Sequence, residues 1–294
     1  MQNPLEIFGV NMSFQFVAVF YLLVWTRFLG IVATIPFLIG KPVPMPARIG
    51  VAAIFAVFVT AHLLPHDRPP ITEQQLVLTL LFLKEAIFGI AIGILAGLVF
   101  YAFESAGHMI DNQRGMSIAR VLIPELGTME SQGGQFLFSL TVVTFLTLGG
   151  HRLFFEALFG SFVTLPVLEF PRIDPGWRPL LDLFMHLSSE VLTVSFVIAA
   201  PVIIAILVAD LILGVANRIA PQINVWELGF NIKGVLGIVM LALMMKLLFG
   251  VMQTRFAENQ AHLEHGIRLL EGRGEPTVLV APPGQLPPPF PWLP

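Results

Sequence analysis

The stretch Leu76–Phe103, LVLTLLFLKEAIFGIAIGILAGLVFYAF, decides the fold. It carries only two charges, Lys84 and Glu85, near its start. A helix that crosses a bilayer needs about 20 largely apolar residues, so this stretch is long enough to span one. Gly89, Gly93 and Gly97 recur every four residues and form one smooth stripe along it. Such a stripe lets another backbone approach closely, which is how helices associate where lipid removes the hydrophobic drive. Working outward, further apolar runs occupy Ser13 to about Ile39, Ile49 to Pro65, Gly134 to Gly150 with a continuation to Leu165, Val191 to Ala209, and Gly234 to about Val251. The expectation is an all-α integral membrane protein of six to eight hydrophobic helices arranged in hairpins.

Composition agrees. Of 294 residues, 56% are hydrophobic and 12% charged, against roughly 25% charged in an ordinary soluble domain. A formal charge of -3 with scattered Lys and Arg offers no basic surface for phosphates, so no nucleic-acid partner is expected. The absence of cysteine removes disulfides, thiolate metal sites and thiol nucleophiles together. No Lys or Arg precedes Arg27, so the N-terminus lacks the basic region of a secretory signal and reads as retained. Lys and Arg fall on successive connections without alternating, which leaves the orientation unassigned.

Two segments depart from the apolar pattern. Between Glu104 and Gly133 the chain turns polar and Gly-containing, too long for a tight turn, and long interhelical loops are usually functional or disordered. From Glu258 it becomes polar and then Pro-rich, ending APPGQLPPPFPWLP. That composition suits a polyproline-like tail rather than a packed core. The organisation is thus a membrane-embedded domain over residues 1–257 and a flexible tail over 258–294.

Charges inside apolar helices cost roughly 2.5 to 3.5 kcal/mol each at mid-helix and need a reason. Arg27, Lys84, Glu85, Asp210 and Lys233 are the candidates. A carboxylate on a neighbouring helix is the usual partner of such a cation. Lys84 and Glu85, being adjacent, are not expected to face each other. Glu104, His108 and Asp111 share a face if the third helix continues, and their types can ligate metal. With no second ligand cluster in view, a hydrogen-bonded network of Asp111 with Arg114 is favoured, and no metal or cofactor is expected. Nucleophile, zinc-protease and phosphate-cradle motifs are missing, so no catalytic residue is assigned.

The segment GHMIDNQRGMSIARVLIPELG (residues 107–127), followed by an apolar helix and then GGHRLFFEALFGSFVTLPV (149–167), resembles the FliR/SctT family of type III secretion export-gate subunits. A second match, LGVANRIAPQINVWELGFNIKGVLG (213–237), is similar to the family signature around Ala-Pro-Gln-x-Asn and Gly-Phe-x-x-Lys. Together they cover roughly Ser13 to Val251. DNQRG (111–115) leans toward the injectisome branch, while Gly150-His151 is similar to the flagellar branch. Ile123-Pro124 stands where Asp-Pro is common, and Asn231 where many members carry Pro. About residues 13–190 resemble the larger gate partner, FliP/SctR, and about 191–251 the small two-helix partner, FliQ/SctS.

The resemblance implies a non-enzymatic subunit in the bacterial inner membrane, at the base of a flagellum or injectisome. It implies FliP/SctR-like and FliQ/SctS-like partners, a FlhB/SctU-like switch subunit, surrounding lipid, and unfolded protein substrates passing through a helical pore assembly. It also implies that the loop 107–123 plugs the channel, with Gly107, Asp111, Asn112, Gln113, Arg114, Gly115 and Met116 as its working residues. Pro221, Gln222, Asn224, Gly229, Phe230 and Lys233 would serve helix and partner packing. Physically, Ala-Pro-Gln-Ile-Asn suits the reversal of an apolar helix pair: Pro221 removes a donor, and Gln222 and Asn224 can bond carbonyls freed at the bend. The competing expectation is an ion-coupled small-molecule transporter with Lys84, Glu85 and Asp210 as a relay and helix breaks at Pro201 and Pro221.

Overall fold

A computed structural model describes residues 14–37, 43–64, 75–116, 131–171, 178–222 and 224–271. Every regular element among the described residues is a helix: α1 (Phe14–Thr34), α2 (Met45–Leu63), α3 (Gln75–Gln113), α4 (Gln132–Thr147), α5 (Gly150–Thr164), α6 (Arg178–Ile219) and α7 (Val225–Glu271). Five are long and apolar enough to cross a membrane, or six if the bent pair α4 and α5 forms one broken span. The break falls at Leu148 and Gly149, where Gly149 adopts φ +75°, a conformation glycine tolerates without a Cβ clash. Pro44 and Pro46 open α2, where the missing N–H groups have no intrahelical role.

Three elements run further than their apolar cores. Helix α3 does not end near Phe103 but continues to Gln113, because its buried carboxylates Glu104 and Asp111 find partners within the fold. Helix α6 spans 42 residues and contains Pro201 without a break. Helix α7 spans 47 residues and passes the expected 257 boundary. Beyond it the helix is amphipathic, burying Leu263, Ile267 and Leu270 and exposing Glu264 and Arg268. Apolar spacing therefore kept the backbone helical where composition alone suggested a tail. Residues 272–294, with the Pro-rich sequence, lie outside the described residues.

The chain divides into two compact units. The first joins residues up to Gly97, His151–Leu183 and the segment from Asn259. Here α1 and α3 touch backbone to backbone. A Cβ on Gly89 would collide with the Arg27 carbonyl oxygen, and one on Gly93 with Thr34, while Gly30 lies against the Ala86 to Ile90 backbone. Gly97 is also buried on α3. Phe28 stacks between Phe55 and Phe162, with ring centroids 5.8 and 5.5 Å away.

Next to these rings lies a desolvated charge cluster. Arg27 donates to Glu85 through Nε at 2.5 Å and Nη2 at 3.0 Å, and both side chains are fully buried. Arg27 also donates to the Ser161 and Leu165 carbonyl oxygens and covers the Phe162 ring at 4.2 Å. Lys84 Nζ donates to the carbonyl oxygens of Pro166, Val167 and Glu169 at 2.8 to 3.0 Å. Contrary to the expectation from adjacency, Lys84 also pairs with Glu85, at 2.8 Å. The Cβ atoms diverge, but both stems are long enough to bend along the helix and meet.

The second unit joins Leu98–Gly150 with Phe184–Glu258. Its core packs Phe100 against Phe138, Phe145 and Phe256, with centroids 5.3 to 6.4 Å apart. Ser195 Oγ donates to the Ala102 carbonyl oxygen at 2.9 Å, joining α6 to α3.

Replacing Glu85 by Gln leaves two buried cations without their shared counter-charge, and breaking a buried pair from one side costs roughly 3 to 5 kcal/mol. Thermal unfolding of the detergent-purified Glu85→Gln protein should fall accordingly. Gly89→Ala should also destabilise through its collision with Arg27. Gly50→Ala, exposed on α2 with nothing near its Cβ, should instead gain about 0.5 to 1 kcal/mol from helix propensity in the same melts.

Candidate functional site

The polar machinery of the second unit gathers where α3 ends and α4 begins. Ser131 caps α4, its Oγ accepting from the Gly134 N–H at 2.9 Å. The same hydroxyl donates to Asp111 Oδ2 at 2.7 Å, and the Gly133 N–H donates to that oxygen at 2.8 Å. Asp111 thus serves the first turn of a helix it does not belong to, satisfying donors with no intrahelical partner and complementing the positive helix end. It is 1% exposed. Such intimacy needs glycine on both sides. A Cβ on Gly107 would collide with the Gly133 backbone, and one on Gly133 would come within 2.8 Å of Asp111 Oδ1.

The consequence is a clasp. Asp111 joins the last turn of α3 to the first turn of α4, the two described stems on either side of residues 117–130. The expected loop 107–123 therefore begins as helix: Gly107, Asp111, Asn112 and Gln113 belong to α3. Arg114 and Gly115 form the turn, and Met116 follows half-buried. Ser117 to Ile123 lie outside the described residues.

Arg114 extends the clasp to α7. Nη1 donates to Asp111 Oδ1 at 3.1 Å and Nη2 to the Gly234 carbonyl oxygen at 3.2 Å. Gly115 takes φ +89° and lies under the Phe230 ring, which stacks edge-on with Trp226. The expected Asp111 network with Arg114 is present. The face shared with Glu104 and His108 does not converge: those two meet each other at 3.6 Å, while Asp111 turns to Ser131 and Gly133. Among the described residues, no three His, Asp or Glu side chains are placed to hold a metal ion.

The remaining candidates fall on the arm made by α6 and α7. Asp210 and Lys233 pair at 2.6 Å and are partly exposed, so Asp210 is not a fully buried charge. Pro221 and Gln222 form the exposed turn. Asn224, expected to bond carbonyls, instead caps α7. Its Oδ1 accepts from the Glu227 N–H at 3.4 Å and its Nδ2 donates to Glu227 Oε2 at 3.2 Å. The reason is chain direction: after the reversal, the nearest unpaired groups are the first N–H groups of α7. Gly229 is buried beside Leu213. The arm leaves much apolar surface uncovered, with Phe196, Ile204, Leu211, Ile212, Val235 and Leu243 all more than half exposed.

Sequence reasoning missed Ser131, Gly133, Gly234 and Gly237. Ser131 had a legible signal, a hydroxyl residue just ahead of an apolar helical run. The glycines had none, since their role lies in what approaches them.

These features define a class: a polytopic α-helical membrane protein in which buried carboxylates, Glu85 and Asp111, tie helices to one another. Residues 18–259 match the family described as bacterial export proteins, family 1, and the chain belongs to that family, the FliR/SctT family. It is a bacterial membrane protein. The flagellar biosynthetic protein FliR of Bacillus subtilis (strain 168) is 31% identical over 238 residues, 81% of this chain and 90% of that protein. Yop proteins translocation protein T of Yersinia pestis is 35% identical over 178 residues, 60% of this chain and 67% of that protein. The surface presentation of antigens protein SpaR of Shigella flexneri is 30% identical over 158 residues, 54% of this chain and 59% of that protein. Relatives named for flagellar biosynthesis and for Yop translocation are both similar, so the injectisome lean is slight.

Asp111→Ala removes the acceptor for two buried donors, a loss of about 1 to 3 kcal/mol. Hydrogen exchange at the Gly133 and Gly134 amides should accelerate roughly 5- to 150-fold, and unchanged rates would mean that Asp111 does not hold the stems.

Proposed function

We propose that this chain is a non-enzymatic subunit of a type III protein export gate, forming with FliP/SctR-like and FliQ/SctS-like subunits a channel for unfolded substrates. A FlhB/SctU-like switch subunit completes the partner set, and the assembly sits in the inner membrane at the base of a flagellum or injectisome. The segment that starts at Arg114 acts as the plug, and Gly107 to Gln113 form its helical stem. The observation that carries this reading is the Asp111 clasp, which joins both stems of one interhelical segment inside a helical membrane bundle. A plug must seal yet move for a passing chain, and a segment held at its base by a few hydrogen bonds meets both needs.

Two further observations support it. The arm's uncovered apolar faces call for neighbours, and head-to-tail contacts that do not close generate a spiral assembly. The charges a transporter would use as a relay are otherwise engaged: Lys84 and Glu85 with Arg27 and backbone carbonyls, Asp210 with Lys233.

Deleting Ser117 to Ile123, beyond the clasp, should leave assembly intact and make the closed channel leak ions in bilayer recordings; wild-type conductance would count against a plug. Mass measurement of the co-purified complex should find this chain as the minority component, and equal copies of every subunit would refute the proposed arrangement.

A further inference from the structure

Arg114 has a second attachment that a clasp between α3 and α4 does not require. While Nη1 holds Asp111, Nη2 reaches across to the carbonyl oxygen of Gly234 in the body of α7. That oxygen has a second lone pair free of the helix ladder, so it can accept without breaking α7. The side chain then lies flat on Gly237, where a Cβ would come within 2.6 Å of Arg114 Cδ. One turn before Gly234, Phe230 covers Gly115, and a Cβ there would come within 2.6 Å of Phe230 Cε1. Phe230, Gly234 and Gly237 are spaced by four and three residues and so form one stripe on α7. The stem therefore meets α7 through a fork, a ring and two glycines, Gly115 and Gly237, at which a Cβ would crowd the facing side chain.

We infer that Arg114 is a positioning residue that couples the stem to the α6–α7 arm. The guanidinium shares its two ends between Asp111, which sets the stem, and Gly234, which belongs to the arm. Movement of the stem away from α7 must break the bond to Gly234. A lysine could not do the same: its ammonium is a point donor without a planar fork, so it would hold one partner at the expense of the other. This coupling rests on the plug reading, since it specifies what holds the stem in the closed setting.

The chain contains no cysteine, so paired cysteines report without background. A Cβ built on Gly237 lies 3.0 Å from Arg114 Cγ, one bond from the Arg114 Cβ. Arg114→Cys with Gly237→Cys is therefore near the Cβ separation of about 3.5 to 4.5 Å that a disulfide needs. In the co-purified assembly, oxidation should cross-link the stem to α7, leave closed-state conductance at the wild-type level and abolish substrate passage. Reduction should restore passage and raise the leak, because the fork is gone. Arg114→Lys, which disturbs packing less, should assemble normally and also leak more than wild type. Wild-type passage through the oxidised, cross-linked assembly would overturn the coupling, as would a wild-type leak from Arg114→Lys. The Ser117 to Ile123 deletion separates the two readings. If it leaks while the cross-link changes nothing, the plug stands and the coupling falls; if it does not leak, both fall.

Discussion

One buried carboxylate, Glu85, determines whether α1, α3 and α5 can share a core. Its two oxygens receive Arg27 and Lys84, and those cations reach the carbonyl oxygens of Ser161, Leu165, Pro166, Val167 and Glu169. The carbonyls belong to the last turn of α5 and the chain that leaves it, at the negative end of the helix dipole, and those of Ser161 and Pro166 also accept from the Leu165 and Glu169 N–H groups. In an apolar bundle no water satisfies them, so protein must. Cations suit the task but bring charge into a dry interior. Glu85 makes that tolerable by neutralising them where they cross from α1 and α3. The cluster is a helix cap assembled from three helices, and each of its three charges has a partner within it.

The second unit solves a related problem differently. Asp111 also caps a helix from outside, but it carries one carboxylate against two neutral donors and one guanidinium. The Arg114 side chain is 15% exposed, whereas Arg27 is wholly buried. Bonds in contact with water can exchange partners at small net cost, while those of a fully desolvated cluster cannot. The chain thus combines a wholly buried polar node in one unit with one that reaches solvent only at Arg114 in the other. Only the second lies at the base of a segment whose ends it joins.

The helical class and the need for a counter-charge near Arg27 were legible because each follows from one rule, that charge and backbone in an apolar phase must be satisfied. What escaped was tertiary. Glu104 and Asp111 read as the start of a loop because polarity was equated with departure from the helix; partners on other turns let α3 continue through them. Adjacency excluded a Lys84–Glu85 pair because that rule concerns Cβ directions, and two long side chains escape it. The Gly89 and Gly93 contacts could be anticipated from spacing, since a repeat marks a face. Gly107 and Gly133 form no repeat, and their contact depends on where the chain returns. The resemblance marked the 107–123 segment as special, but its stem became visible only once Ser131 was placed beside Asp111.

The α6–α7 arm connects these arguments to assembly. Its internal tie, Asp210 with Lys233, is partly exposed and fixes the two helices to each other rather than to a core. Only 33% and 28% of their most apolar stretches are buried, against 67% for α3. An arm so placed gains most of its burial from whatever covers it, at about 25 cal/mol per Å² of apolar surface removed from contact with water. Between lipid and a neighbouring helix that gain largely cancels, so close packing and matched polar contacts decide which neighbour is held. The stripe that would fix the arm's register against α3 is the one that receives Arg114 and Phe230's cover of Gly115. The same few contacts therefore join the arm to the end of α3 and hold Arg114 and Gly115 in place.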